Sequence, residues 1–335
     1  MELIDGVSLY SLAVRVLTTH DALEKASLTL AICKAWNAGL VPIGQRGVDA
    51  QDPAVPDSPA RPINVQMVHP TKVKSSSKKH MLHALCHAES YAIDLSWDLI
   101  ARYGWSPATW QLAVPLAETS TARSCGESDD IDADVDAAAT EHVSNGRMPK
   151  AFFSDWVTVA GEEATHFLRW HARLNELGAT YGDFPAHGSL WESAEKTLDS
   201  LAARLAVVHC VHEGRGLDVA ASLYAKLGVG GDLVSQEILS RNLAEEVTHV
   251  AAGVRWLKHL CACGGVAIIP AFHDLVRRNF HGVLRPPFAD KERGDAGMTP
   301  EWYLPLCAAE KNLDGTTILS AGNAAEIDFT AEDMG

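Results

Sequence analysis

The sequence predicts an all-α protein built round a four-helix bundle, and three observations carry that expectation. Four long segments, His80–Tyr103, Ala151–Leu177, Ser189–Leu227 and Leu233–Cys261, repeat apolar residues every three or four positions, the third with room for a break. Alternating runs of β-branched residues, the mark of strands, are nearly absent. Each long segment also sets a glutamate in the middle of its apolar stripe. In two of them a histidine follows three residues later, within the matching words EEATH (Glu162–His166) and EEVTH (Glu245–His249).

The elements follow in chain order. Leu9 to Asn37 fits two short helices, because THDALEKA offers a Thr or Asp N-cap midway; residues 1–45 are read as a helical extension. Residues 46–79 are dense in Gly, Pro and Asp and form an irregular linker. Its end, HPTKVKSSSKKH, is basic but Ser-rich, which suits a solvated connection better than a nucleic-acid contact. The bundle occupies 80–265, interrupted at about 119–147 by an acidic stretch poor in large apolar residues. A helical and looped extension (266–320) and an acidic tail expected to be disordered (321–335) close the chain.

Bulk composition narrows the function. At 335 residues and 47% hydrophobic the chain can bury a sizeable core. A formal charge of −15 argues against phosphate backbones and anionic membranes as partners, since both require clustered Lys and Arg. Seven scattered cysteines form no disulfide framework, so a reducing, cytoplasmic setting is expected. The N-terminus is acidic where a signal peptide is basic, and no apolar run reaches the roughly 18 residues of a membrane span.

The glutamates are the chemical signal. On the second long segment Phe152, Trp156, Val159, Glu163, His166, Trp170 and Leu174 share one stripe; on the fourth, Leu239, Asn242, Glu246, His249, Gly253 and Trp256 do the same. A carboxylate in an apolar seam costs several kcal/mol, about 3–5, unless its charge is compensated. The first segment adds Glu89, in line with Leu85 and Ala92, and the third adds Glu213, in line with Cys210 and Leu217. One Glu from each of two helices plus Glu-x-x-His from each of the other two is the ligand set of a carboxylate-bridged dinuclear metal site in a four-helix bundle. Four carboxylates neutralise two divalent cations, and oxygen-rich ligation favours Fe or Mn over Zn or Cu. Glu162 and Glu245, each four residues before its own histidine, are candidates to hold an imidazole N–H and fix its tautomer. Asp94 and Asp218, each five residues after a ligand Glu, invite the same role on repetition alone.

Other motifs carry less. His83 and His87 have zinc-like spacing but face away from Glu89, and no HExxH is present. GVGGD lacks the spacing of a dinucleotide fingerprint. The CAC at Cys261–Cys263 has no second pair to complete a zinc site.

The stretches HALCHAESYAIDL, FFSDWVTVAGEEATHF, LNELGATYGDFPAHGSLWE, EGRGLD, LAEEVTHVAAGVRW and RPPFADKERGDAGMTPEWYLPL resemble a ferritin-like family known as domain of unknown function 455, from about Leu9 to Leu306. The resemblance implies a ferritin-like four-helix bundle with additional N- and C-terminal helices. It places the implied ligands on Glu89, Glu163, His166, Glu213, Glu246 and His249. The acidic insertion departs from the pattern and leaves those positions intact.

The leading expectation is an oxidoreductase, a hydroxylase or oxygenase, in which two Fe ions, or Mn with Fe, activate O₂ toward an unknown small molecule with an external reductant. Phe167, Trp170 and Gly253 are expected to line its pocket. Two other readings stand beside it: a ferroxidase without an organic substrate, and a non-catalytic helical protein cemented by metal.

Overall fold

The computed structural model describes residues 4, 6–44, 54–73, 77–110, 112, 146–307, 310, 311, 317 and 318. Nearly all of the acidic insertion and the whole of the tail lie outside them. The N-terminal extension forms α1 (Leu9–Leu17) and α2 (Ala22–Asn37), the latter capped by Asp21, whose carboxylate accepts Glu24 N–H at 2.8 Å. The bundle begins with α3 (Lys78–Asp98), capped by Ser77 and continued by a π-helical turn, Leu99–Tyr103. The next long helix is α4 (Lys150–Glu176).

The third long segment is indeed broken. A short α5 (Ser189–Glu195) precedes α6 (Leu201–Arg204), which runs through a π-helical stretch, Leu205–His212, into α7 (Glu213–Leu227). The fourth is α8 (Leu233–Cys263). Beyond it come α9 (Ile268–Asn279), α10 (Asp290–Asp295) and α11 (Pro300–Tyr303), and a pair of two-residue antiparallel strands, Glu310–Lys311 and Thr317–Ile318.

Contacts at the helix ends fix the directions. Lys79 at the start of α3 reaches Gly178 just past the end of α4, so these two run antiparallel. Lys78 bonds Leu227 O at 2.9 Å while Asp98 meets Arg204 at 2.6 Å, so α3 also opposes the α6–α7 segment. The residues 228–232 turn α7 tightly into α8. Gly230 and Gly231 adopt φ of 78° and 79° there, a region costly to residues with a Cβ, and Asp232 caps α8. The direction sequence is up, down, down, up, with one long crossover carrying α5 between the second and third helices. Met148, just ahead of α4, donates its N–H to Gly104 O at 2.8 Å, which sets the start of α4 beside the end of the π-helical turn.

One apolar core runs through bundle and extensions alike, centred on Trp97, Phe152, Phe153, Trp156, Phe167 and Trp170. Buried ion pairs stitch the extensions on. Asp94 accepts from Lys25 of α2 and from Arg61 of the linker at 2.5 and 2.7 Å, and Asp218 takes Arg293 of α10 through two contacts of 2.7 Å. Neither aspartate reaches an imidazole, which corrects the role their repetition suggested. Their common position serves to anchor one extension to each half of the bundle. No single helix among the described residues is long and apolar enough to cross a membrane.

Candidate metal centre

The words EEATH and EEVTH meet face to face. Because α4 and α8 run antiparallel, the start of each word lies opposite the end of the other. Glu163 sends Oε1 to 2.9 Å from His249 Nδ1 and Oε2 to 3.4 Å from His166 Nδ1. Glu246 mirrors it, with Oε1 at 3.1 Å from His166 Nδ1 and Oε2 at 3.3 Å from His249 Nδ1. Each of these carboxylates thus faces both histidines, one oxygen to each. Glu89, from α3, stands 4.0 Å from His166 Nδ1 and accepts from Trp170 Nε1 at 3.2 Å. Donor atoms of Glu89, Glu163, His166 and Glu246 all lie within 4.8 Å of one another. Glu213, from α7, sits outside that tight group but borders the same cavity as Glu89, Glu163 and Glu246.

Glu162 and Glu245 do hold imidazoles, but across the helix pair. Glu245 Oε2 lies 2.6 Å from His166 Nε2, and Glu162 Oε2 lies 2.8 Å from His249 Nε2. The spacing within each word had matched each glutamate with its own histidine. The exchange has a simple cause. Each ring turns Nδ1 inward toward the Glu three residues before it, which leaves Nε2 pointing off its own helix to the neighbour. Arg169 buttresses one end, bonding both Glu245 and the Asn242 side-chain oxygen at 2.9 Å.

The buried atoms left over describe what the site is built to receive. Neither His166 Nδ1 nor His249 Nδ1 nor Glu163 Oε2 makes a hydrogen bond, since the close contacts are misaligned. With Nε2–H given to a carboxylate, a neutral imidazole presents its Nδ1 lone pair to the centre, the arrangement of a metal-ligating histidine. Unsatisfied buried donors and acceptors cost about 1–3 kcal/mol each, so three together fit a cluster that could hold a cation.

Electrostatics point the same way. Burial opposes charge on both histidines, yet contacts with Glu163 and Glu246 hold them protonated well above the usual imidazole range. Glu163 and Glu246 stay ionised despite burial because His249 and His166 face them. Burial raises Glu89 well above the usual carboxyl range, and the Glu163 charge adds to it. Burial does the same to Glu213, helped by Glu246 and Glu163. Without metal the two histidines, Glu89 and Glu213 are thus all shifted toward holding a proton, while Glu163 and Glu246 are shifted toward losing theirs. A cation bound there would need neutral imidazoles and ionised carboxylates. Metal uptake is accordingly expected to release protons, and affinity to rise with pH as the competing protons leave. Calorimetry in buffers of differing ionisation heat counts them, and release of fewer than about one would contradict this exchange.

Sequence reasoning missed one participant. His209, in the π-helical stretch, is buried with neither ring nitrogen bonded, its Nδ1 3.9 Å from Glu213 and its ring 4.5 Å from Trp156. Gly253 is packed against it: a Cβ there would meet His209 O at 2.5 Å. Gly253 therefore sets the approach of α8 to the π-helical stretch and does not line the cavity; nor does Phe167, which packs on Tyr181. Of the three expected lining residues only Trp170 does so. His83 and His87 point elsewhere, His87 bonding Tyr181 and the backbone of His187.

A family model described as "Protein of unknown function (DUF455)" matches residues 18–304, a span that includes every residue of the centre. The chain belongs to this family. A relative described as an uncharacterized protein of Haemophilus influenzae is 31% identical over 218 residues, or 65% of this chain. The match spans 64% of that protein's length. No solved structure matches the chain.

In this DUF455 member, Glu162→Gln and Glu245→Gln are expected to weaken metal affinity by about 10–100-fold while leaving the fold intact, because each only orients an imidazole. Metal competition titrations check this. Affinity unchanged in both would return the two residues to ordinary helix surface.

Proposed function

We propose that the protein is a ferritin-like, non-haem dinuclear metal oxidoreductase that uses O₂ to oxidise a small organic molecule. The observation that carries the reading is the convergence of Glu163 and Glu246 between two histidines whose outer nitrogens are already engaged by Glu162 and Glu245. The up-down-down-up course with one long crossover supports it, since bundles of that connection house di-iron and di-manganese carboxylate sites. Glu89, Glu163, His166, Glu213, Glu246 and His249 would hold two ions, Fe or Mn by the hardness of the donors. Such ions supply the electrons and open coordination positions that O₂ reduction needs.

The remaining work falls to the chain. Glu162 and Glu245 keep both imidazoles in one tautomer. Trp170 fixes the orientation of Glu89 by its N–H. A cavity of about 160 Å³ reaches Glu89, Glu163, Glu213 and Glu246, which disfavours a closed structural site. Its wall is mostly aliphatic, which favours an organic substrate over a transit path for iron. The described cysteines are free thiols, in keeping with an intracellular setting and an external reductant.

The test is a titration of Fe(II) into the metal-free protein under O₂, with oxygen uptake recorded. Uptake that saturates near two irons per chain supports the proposal. Uptake continuing far beyond two equivalents indicates iron handling, and no uptake indicates a site that only holds the helices together.

A further inference from the structure

The cavity above the centre has a wall, a floor and, on a residue of the wall, an unbonded polar atom. Its wall comprises chiefly Leu85, Val219, Ala220, Leu223, Leu239 and Leu243, from α3, α7 and α8. Its floor is the carboxylates of Glu89, Glu163 and Glu246. Arg215 borders the cavity but is already engaged, donating to Arg285 O at 3.2 Å and lying 3.8 Å from Asp218. Trp170 spends its N–H on Glu89.

Asn242 differs. It is 3% exposed and belongs to the same wall. Its Oδ1 accepts from Arg169 at 2.9 Å, which fixes the orientation of the amide. Its Nδ2 is buried and bonded to nothing. The amide oxygen is turned to Arg169, which is outside the cavity lining, while Asn242 itself is part of that lining. A buried N–H without an acceptor in an aliphatic wall is a cost that a ligand oxygen removes.

We propose that this cavity binds a small, neutral, predominantly apolar molecule bearing one oxygen acceptor, a ketone, aldehyde or ether, whose oxygen takes the Asn242 Nδ2 hydrogen while its hydrocarbon part lies on the aliphatic wall. This deepens the oxidoreductase reading by naming the class of its substrate, and rests on it for the chemistry though not for the binding. Size follows from volume, since an apolar cavity of about 150 Å³ holds a molecule such as benzene. The class is neutral because the wall is chiefly aliphatic and the cation at its border, Arg215, is already engaged by Arg285 O and Asp218. Asn242 lies one helical turn before Glu246 on α8, so a molecule held by it extends toward the centre.

The experiment titrates the full chain, metal-free and Fe(II)-loaded under anaerobic conditions, with cyclohexanone, with methylenecyclohexane of the same shape but no acceptor, and with hexanoate. Metal content is measured on each sample. Cyclohexanone is expected to bind about tenfold tighter than methylenecyclohexane, the difference one hydrogen bond supports. Asn242→Leu should erase that difference. Ala220→Leu, which fills the cavity away from the carboxylates, should abolish binding of both and leave the metal content as it was. The proposal is overturned if no probe binds to protein carrying its metals, if cyclohexanone and methylenecyclohexane bind alike to the unaltered chain, or if hexanoate binds best. Asn242-dependent binding by a chain that takes up no metal upholds the cavity and removes the oxygen chemistry instead.

Discussion

Replacing Glu163 by alanine is expected to strip the protein of both of the metal ions proposed for it, lowering a stoichiometry of about two per chain to below one. The expectation rests on the reach of a single carboxylate. One oxygen of Glu163 lies 2.9 Å from His249 Nδ1 and the other 3.4 Å from His166 Nδ1, so its loss removes a donor beside each imidazole. Glu246→Ala should act alike, for Glu246 has the mirror arrangement. Glu89→Ala should spare one ion, because Glu89 approaches His166 alone. Elemental analysis alongside circular dichroism separates metal loss from unfolding. A folded Glu163→Ala protein that keeps both ions would mean that this carboxylate does not bridge the two sides of the centre.

Asp94→Ala is expected to cost about 3–5 kcal/mol of stability, the usual penalty for removing one partner of a buried ion pair. The side chain of Asp94 is wholly buried and is shared by two cations, Lys25 and Arg61. Lys25 is itself buried, and burial already lowers its pKa against the pull of Asp94. Without the carboxylate, Lys25 keeps, among the described residues, the carbonyl of Ala60, while Arg61 keeps Ser90 and Tyr181. The change should also loosen the N-terminal extension, since both cations come from it and the linker. A urea midpoint shift under about a quarter of that expected from the lost pair would show that water or rearrangement replaces the carboxylate.

The sequence disclosed the helices and the ligand words because both depend on spacing along one element. A period near 3.6 puts Glu163 with His166 and Glu246 with His249 on one face whatever the neighbours are. Which helix that face meets is a separate matter. Glu162 and Glu245 were legible as imidazole partners, yet their exchange across α4 and α8 was not, because it depends on the antiparallel course of two helices far apart in the chain. Asp94 and Asp218 misled for the same reason. Their spacing from Glu89 and Glu213 is a true repeat, but their partners Lys25, Arg61 and Arg293 lie on distant segments. The π-helical stretch at Leu205–His212 was hidden because its residues are apolar almost without interruption and give no period to read. His209 lay inside it, visible as a histidine and silent as to its surroundings.

The account stands on two metal ions shared among six side chains from four helices, and the most direct measurement counts them. Metal-free protein is incubated anaerobically with excess Fe(II), freed of unbound iron, and analysed for iron per chain. The account predicts about two, in keeping with the ligand number of such bundles. Trace iron only, in protein that remains helical, would contradict it and leave Glu163, Glu246, His166 and His249 as a buried ion-pair network with no metal to hold.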